Sequence, residues 1–394
     1  MRKITFTALA LFFRILCSHA QTDSATYKPR KLKIDEVNFV SGYYMQDGNN
    51  SAVTGGIGTE KLTDFANTLE LKLVRNDRKG RLHSASVEVG IDNYTSASSD
   101  KIDPNTISSP SYSDTRIYPS LNYGVSNEQT GWSYGGGLSF STEYDYKSFG
   151  AGLNIAKTSK DKNREIALKL QGYFDTWLVI YPIEFRATGN QHEDEGTSPR
   201  NSYSASLSYS QVVNKRLQMS LILDGIYQNG LLATKYQRIY FADGSKGLET
   251  LPDTRLKLPI GLRANYFLDD RFIVRAYYRY YSDDWGISAH TLDLELPVKI
   301  NPYFSVSPFY RYYTQTAAKY FAPYGAHAPS DVFYSSDYDL SAFSSHFFGA
   351  GFRYVPQKGV FGIRHWTMLE IRYGHYTRST SLNSNIISLN ARFK

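Results

Sequence analysis

Two stretches of the sequence carry residue types that do chemistry. Residues 43–60 read YYMQDGNNSAVTGGIGTE, a Gly-rich run of the kind that cradles phosphates. A phosphate loop needs Lys and Ser or Thr after its last Gly, between a strand and a helix, so that backbone N–H groups and an ammonium converge on the phosphates. Here Gly58 is followed by Thr59 and Glu60, and no helical pattern comes next. The run is therefore read as a bending or gating loop. Gly55, Gly56 and Gly58 turn the chain through positive φ, and Glu60 and Asp64 are expected to pair with arginines inside the fold. A second stretch, His192-Glu193-Asp194-Glu195, joins an imidazole to three carboxylates, types that suit transition metals and hard cations. Adjacent residues of a loop seldom hold such ligands in a preformed geometry, so neither a metal nor a cofactor is expected. Ser, His and Asp also occur, but no G-x-S-x-G elbow precedes a helix. A hydrolase-type barrel is the enzymatic alternative, and the leading expectation is no enzyme.

The elements that position these residues begin after a targeting segment. MRKITFTALALFFRILCSHAQ has a basic start, an apolar run broken by Arg14, and a small-x-small site at Ser18-His19-Ala20. Leu16 stands where a lipidated Cys17 requires a small neighbour, so cleavage is expected after Ala20. Residues 1–20 are the leader, 21–31 a periplasmic N-terminal segment and 32–394 the main domain. The exported chain then has no cysteine, which excludes disulfides and thiolate chemistry. No later run reaches about eighteen apolar residues, so no helix crosses a membrane. Mean hydropathy is negative at −0.41, yet the chain has 33 Tyr and 22 Phe. That combination fits a transmembrane β-barrel with aromatic girdles, against the alternative of an exported sandwich or propeller.

Hydrophobic periodicity decides for the barrel. Leu256, Leu258, Ile260, Leu262, Ala264 and Tyr266 alternate with Lys257, Pro259, Gly261, Arg263 and Asn265. The same two-residue period runs through residues 271–282 and 384–394. Each such segment is about ten residues long, the span of a tilted membrane strand. Short polar turns at 75–80, 127–131, 159–164, 212–216, 268–271 and 300–303 largely alternate with long segments at 46–62, 96–113, 178–200, 228–254 and 314–342. The expectation is an all-β, antiparallel up-and-down barrel of about sixteen strands, fourteen to eighteen being compatible, with both ends in the periplasm. Phe393, next to the terminus, closes the last strand in the manner of an outer-membrane assembly signal.

The inward set of that alternation holds most of the charge. Arg263, Arg275, Arg279 and Arg311 come from nearby strand positions, with Asp293 and Glu295 between them and Arg353, Glu370 and Arg372 beyond. Lipid does not accept such residues near its midplane, where Lys or Arg costs roughly 2–4 kcal/mol. The group reads either as an anion-selecting constriction or as a mutually neutralised ladder. A net charge of +7, dispersed among carboxylates, gives no nucleic-acid footprint.

Residues 43–64, 92–116, 230–244, 251–255, 280–297, 309–321 and 334–343 together resemble a family known only as a domain of unknown function. Its members are outer-membrane barrels of Gram-negative bacteria. The resemblance implies the outer membrane and its lipid as surroundings. It also implies a periplasmic redox protein or small lipoprotein as partner, because relatives often lie beside genes for thioredoxin-like proteins, flavin transferases and small lipoproteins. It carries over no catalytic residue. Passage or export of a small solute or modified peptide, gated by the long loops, is the leading expectation. A plugged barrel that docks an envelope partner is the alternative.

Overall fold

The structure, a computed structural model, describes residues 31–95, 113–186 and 196–394. The leader, the segment before Lys31, the greater part of the 96–113 loop and the His192–Glu195 stretch lie outside the described residues. The chain forms β1 (Lys33–Asp47), β2 (Leu62–Asn76), β3 (Leu82–Thr95), β4 (Ser113–Asn127), β5 (Trp132–Thr142), β6 (Tyr146–Thr158), β7 (Arg164–Leu178), β8 (Thr197–Val212) and β9 (Leu217–Gly230). A small hairpin follows, β10 (Arg238–Tyr240) and β11 (Lys246–Leu248). The wall resumes with β12 (Thr254–Lys257), β13 (Ile260–Phe267), β14 (Ile273–Ser282), β15 (Ser288–Glu295), β16 (Val298–Lys299), β17 (Phe304–Gln315), β18 (Phe343–Tyr354), β19 (Trp366–Arg378) and β20 (Leu382–Phe393).

Each wall strand pairs antiparallel with its neighbours, and β1 pairs with both β2 and β20, which closes the sheet. Eighteen wall segments make sixteen strands. β12 and β13 are one strand broken at Pro259, and β15 and β16 one broken at Pro297, because proline has no N–H to give the ladder. Phe393 takes its place in the seam opposite Val37 and stacks on Trp366 at 5.7 Å.

The core is inverted. Leu121, Leu138, Leu153, Leu170, Leu207 and Leu221 are all exposed on the outer wall, as a hydrocarbon-facing surface requires. The deepest burial lies largely in the loops, where Ile239, Pro182, Ser335 and Ser336 are enclosed. Several strands are longer than the alternation alone suggests: β1, β2, β4 and β7 have 15 residues and β8 has 16. At about 3.4 Å per residue they project past the apolar belt.

At one end of the barrel the strands are joined by short turns, several of them built on one device. A side-chain oxygen of Asp77, Asn127, Asn214, Asp269 or Asn301 accepts the backbone N–H two residues on, as at Asp77–Lys79 (2.9 Å) and Asp269–Arg271 (2.7 Å). That is why Asn and Asp punctuate these turns. The other end carries the long loops 48–61, 231–253 and 316–342, together with the described residues 179–186.

Candidate functional site

At the loop end the long loops pack on one another as a cap. Gly55 and Gly56 adopt φ of 80° and 85°, so loop 48–61 curls back on itself. A Cβ on Gly55 would stand 2.6 Å from the Tyr240 ring, and one on Gly56 2.6 Å from the Ser336 carbonyl, so the close approach demands glycine at both. Gly58, φ 93°, bridges back to Asn50, whose amide donates to Thr380 O at 2.6 Å.

Arg238 is the hub of the cap. Its guanidinium grips Glu184 through Nε (2.6 Å) and Nη2 (3.0 Å), and Nη1 donates to Val53 O at 3.3 Å. Three loops thus meet on one buried side chain. Glu249 ties in the fourth: Oε1 accepts the Ser335 hydroxyl and Oε2 the Thr234 N–H, each at 2.5 Å, while Lys235 Nζ donates to its carbonyl at 2.8 Å. Burial pushes the Glu249 carboxyl up to about 8, with the charge of Asp337 adding to it. Asp337 is pushed up to about 6, chiefly by burial and then by Asp339. Arg378 of β19 holds Asp339 at 2.6 Å and lies over the Phe343 ring, and Gln315 of β17 donates to Asp339 O and Ser341 O. The cap is therefore fastened to the inner wall as well as to itself.

The expected pairing of Glu60 and Asp64 with arginines is not formed. Among the described residues Glu60 Oε2 and Asp64 Oδ1 have no hydrogen-bond partner, and burial pushes the Glu60 carboxyl up. The arginine whose charge reaches Glu60 is Arg378, already committed to Asp339.

Toward the turn end the lumen opens into a cavity of about 710 Å³. Arg263, Arg275, Arg311, Arg372, Asp293 and Glu295 all line it. Glu295 accepts Arg275 at 3.1 Å on one oxygen and Arg372 at 3.0 Å on the other. Arg372 also meets Glu370 at 3.2 Å, and Glu370 meets Arg353 at 2.6 Å. Arg311 pairs with Asp293 at 2.8 Å. Arg372 reaches across the sheet because Gly351 lies beneath it: a Cβ there would stand 3.1 Å from its guanidinium. Arg275, Arg311, Arg353 and Arg372 are thus all spoken for, whereas Arg263 lies over the Tyr277 ring at 5.4 Å.

Arg279 does not line this cavity. It pairs in register with Gly261, closer to the cap, and its Nε is buried without a partner among the described residues. Further toward the loop end stand Arg200 on β8 and Arg255 on β12, which the sequence reading did not place in the lumen, and Lys257 on β12, which the alternation had put on the inward face. Arg200 was hidden because residues 178–200 read as loop, while β8 starts at Thr197. The signal available was parity, since Arg200 continues the inward serines Ser202, Ser204, Ser206, Ser208 and Ser210 of β8.

A closed antiparallel barrel with an apolar outer belt and an ionised lumen defines the chain as a transmembrane β-barrel. It belongs to the family described as "Protein of unknown function (DUF3570)", whose profile matches residues 2–381. No curated protein matches it. Among solved structures it is similar to a BenF-like porin from Pseudomonas fluorescens Pf-5, with 11% identity, TM-score 0.41, and 91% of this chain and 98% of that chain covered. It is similar also to Pseudomonas aeruginosa OccK2 (OpdF), with 10% identity, TM-score 0.40 and coverage of 91% and 98%. A third is the siderophore receptor PirA from Acinetobacter baumannii, with 9% identity, TM-score 0.45, and 88% of this chain and 54% of that chain covered.

Proposed function

We propose that the chain sits in the outer membrane of a Gram-negative bacterium and passes a small solute through its lumen, the cap governing entry from outside. The observation that carries this reading is the cavity of about 710 Å³ lined by ionised side chains beneath the cap. Charges held in that way need water around them, because desolvating an ion costs several kcal/mol. Sixteen strands leave room for an aqueous channel. The cap in turn has its own buried core and its own ties to β17 and β19, the features expected of a gate that folds as a unit.

Liposome swelling tests the reading. Vesicles holding the refolded chain should swell in solutes small enough for the cavity, and faster for Arg238→Ala, which frees three cap loops. If neither protein admits any solute, passage is wrong. The folded cap also favours a second reading, a plugged barrel that docks a periplasmic redox protein or small lipoprotein. Its mark is a silent barrel that retains one defined partner through gentle detergent extraction.

A further inference from the structure

Part of the wall around the lower cavity has aromatic rings laid over glycines. Gly349 on β18 and Gly374 on β19 are register partners, and by parity they share the inward face with Phe347 and Arg372. A Cβ on Gly374 would stand 2.5 Å from the Phe347 ring, and one on Gly349 2.8 Å from Phe309 Cζ. With no side chain at either position, both rings lie along the wall, their centroids 5.2 Å apart and their planes tilted by 45°. Both line the cavity and both keep part of their surface uncovered. Apolar surface left open to water costs about 25 cal/mol for each Å².

Polar groups stand beside these rings in the same cavity. Phe347 is the register partner of Arg311, and Arg311 of Asp293, so the three sit side by side on strands about 4.8 Å apart. Arg311 donates to Asp293 Oδ1 through Nε alone, at 2.8 Å. Among the described residues both Nη groups of Arg311 and Asp293 Oδ2 make no hydrogen bond. Arg311 is half-exposed and both residues line the cavity. One rung nearer the turns, Phe309 is the partner of Glu295, which Arg275 and Arg372 share. Arg372 lies over the Phe309 ring at 5.0 Å and Arg263 over Tyr277, whereas no cation lies over Phe347 among the described residues.

An open ring face next to a donor fork and a free carboxylate oxygen fits a polyhydroxylated ring. The face of a phenyl ring is negative and attracts the weakly positive C–H groups of a pyranose. A guanidinium only donates and a carboxylate only accepts, whereas a hydroxyl does both. Two neighbouring sugar hydroxyls therefore bridge the pair, one accepting from an Arg311 Nη and the other donating to Asp293 Oδ2. An organic anion would have to compete with Asp293 or Glu295 for their arginines, but hydroxyls leave each pair intact. The rung runs on through Tyr277 and Arg263 to Ser220, which is bonded to the Ser210 hydroxyl at 2.8 Å. That extends the polar lining beyond one sugar ring.

We infer that Phe347, Arg311 and Asp293 form a subsite for a neutral saccharide in the lower cavity, with Phe309 and Glu295 at its flank. The cavity of about 710 Å³ lies within the usual size of small-molecule sites, roughly 300–1,000 Å³. This rests on the passage reading for its purpose and names the class of solute, though the binding itself can be measured without transport.

The test is calorimetric titration of the refolded chain with maltose, in a detergent without a sugar headgroup. The wild type should bind maltose saturably. Phe347→Leu keeps Gly374 covered without a flat face, and Asp293→Asn keeps an oxygen beside Arg311 without its charge. Each should weaken binding about tenfold, as loss of one such contact predicts. Ser206→Ala, on β8 and away from the cavity, should stay within about twofold of the wild type. Heat-modifiable gel mobility establishes that each variant is folded. Absence of maltose binding overturns the inference, as does unchanged affinity in either Phe347→Leu or Asp293→Asn, or binding of benzoate in place of maltose. Maltose binding by a barrel that admits no solute would overturn passage and leave the subsite standing.

Discussion

Arg238 is where three loops converge, so its removal separates the cap from the barrel as objects of measurement. The ion pair with Glu184 is nearly enclosed on the arginine side, 3% exposed, and breaking such a pair costs roughly 3 kcal/mol or more. Arg238→Ala should therefore leave heat-modifiable mobility intact while the loops 48–61 and 231–253 become open to trypsin. Unchanged protease resistance would remove Arg238 from its role as hub. Acidity acts on the same cap through Glu249 and Asp337. Their carboxyls are raised in the folded cap, so the stability they contribute is fully present below the ordinary carboxyl range, ~4. It is lost as pH rises through about 6 for Asp337 and about 8 for Glu249. Ionisation sets two buried like charges against each other where loops 231–253 and 316–342 join. Protease sensitivity of the cap should rise between pH 6 and 9 by this reckoning. Glu249→Gln removes the charge, its amide oxygen still able to accept the Thr234 N–H while its NH2 donates to the Ser335 hydroxyl, and should remove most of the rise. A flat wild-type profile would show that the cap is indifferent to these groups.

At the scale of the strand, one residue of parity decides between lipid and lumen. Leu207 faces outward and Ser206, opposite Asp224, faces inward. Leu207→Arg should cost roughly 2–4 kcal/mol and Ser206→Arg little, in urea unfolding from lipid bilayers. Equal costs would mean that the wall has been read inside out. Glycine matters here for space. A Cβ on Gly349 would stand 1.9 Å from the Tyr373 carbonyl across the β18–β19 pair, whereas one on Gly225 meets nothing within 4 Å. Gly349→Ala should destabilise the barrel by about 3 kcal/mol and Gly225→Ala should be tolerated. The wall was legible in the sequence because period two and Asx-punctuated turns are local signals. Arg263, Arg275 and Arg311 could be assigned to the lumen from alternation alone. Partners were not legible: Arg372 finds Glu295 77 positions away, and Glu249 finds Ser335 86 away. The failed pairing of Glu60 has the same origin, since only the folded cap reveals that Arg378 is taken by Asp339. Arg200 was missed for a different reason: β8 outruns the membrane, so its first residues read as loop.

The whole molecule is a barrel whose outer surface is apolar, whose lumen is ionised and whose true core lies in the cap. Assembly should follow that division, the sheet closing through β1 and β20 and the cap docking on a finished rim. The one measurement that bears most directly on passage is single-channel conductance of refolded residues 21–394 in a planar bilayer, under an asymmetric KCl gradient. Steady openings with chloride preferred over potassium, more frequent in Arg238→Ala, are the predicted result. A folded barrel that remains silent with the cap loosened would contradict it.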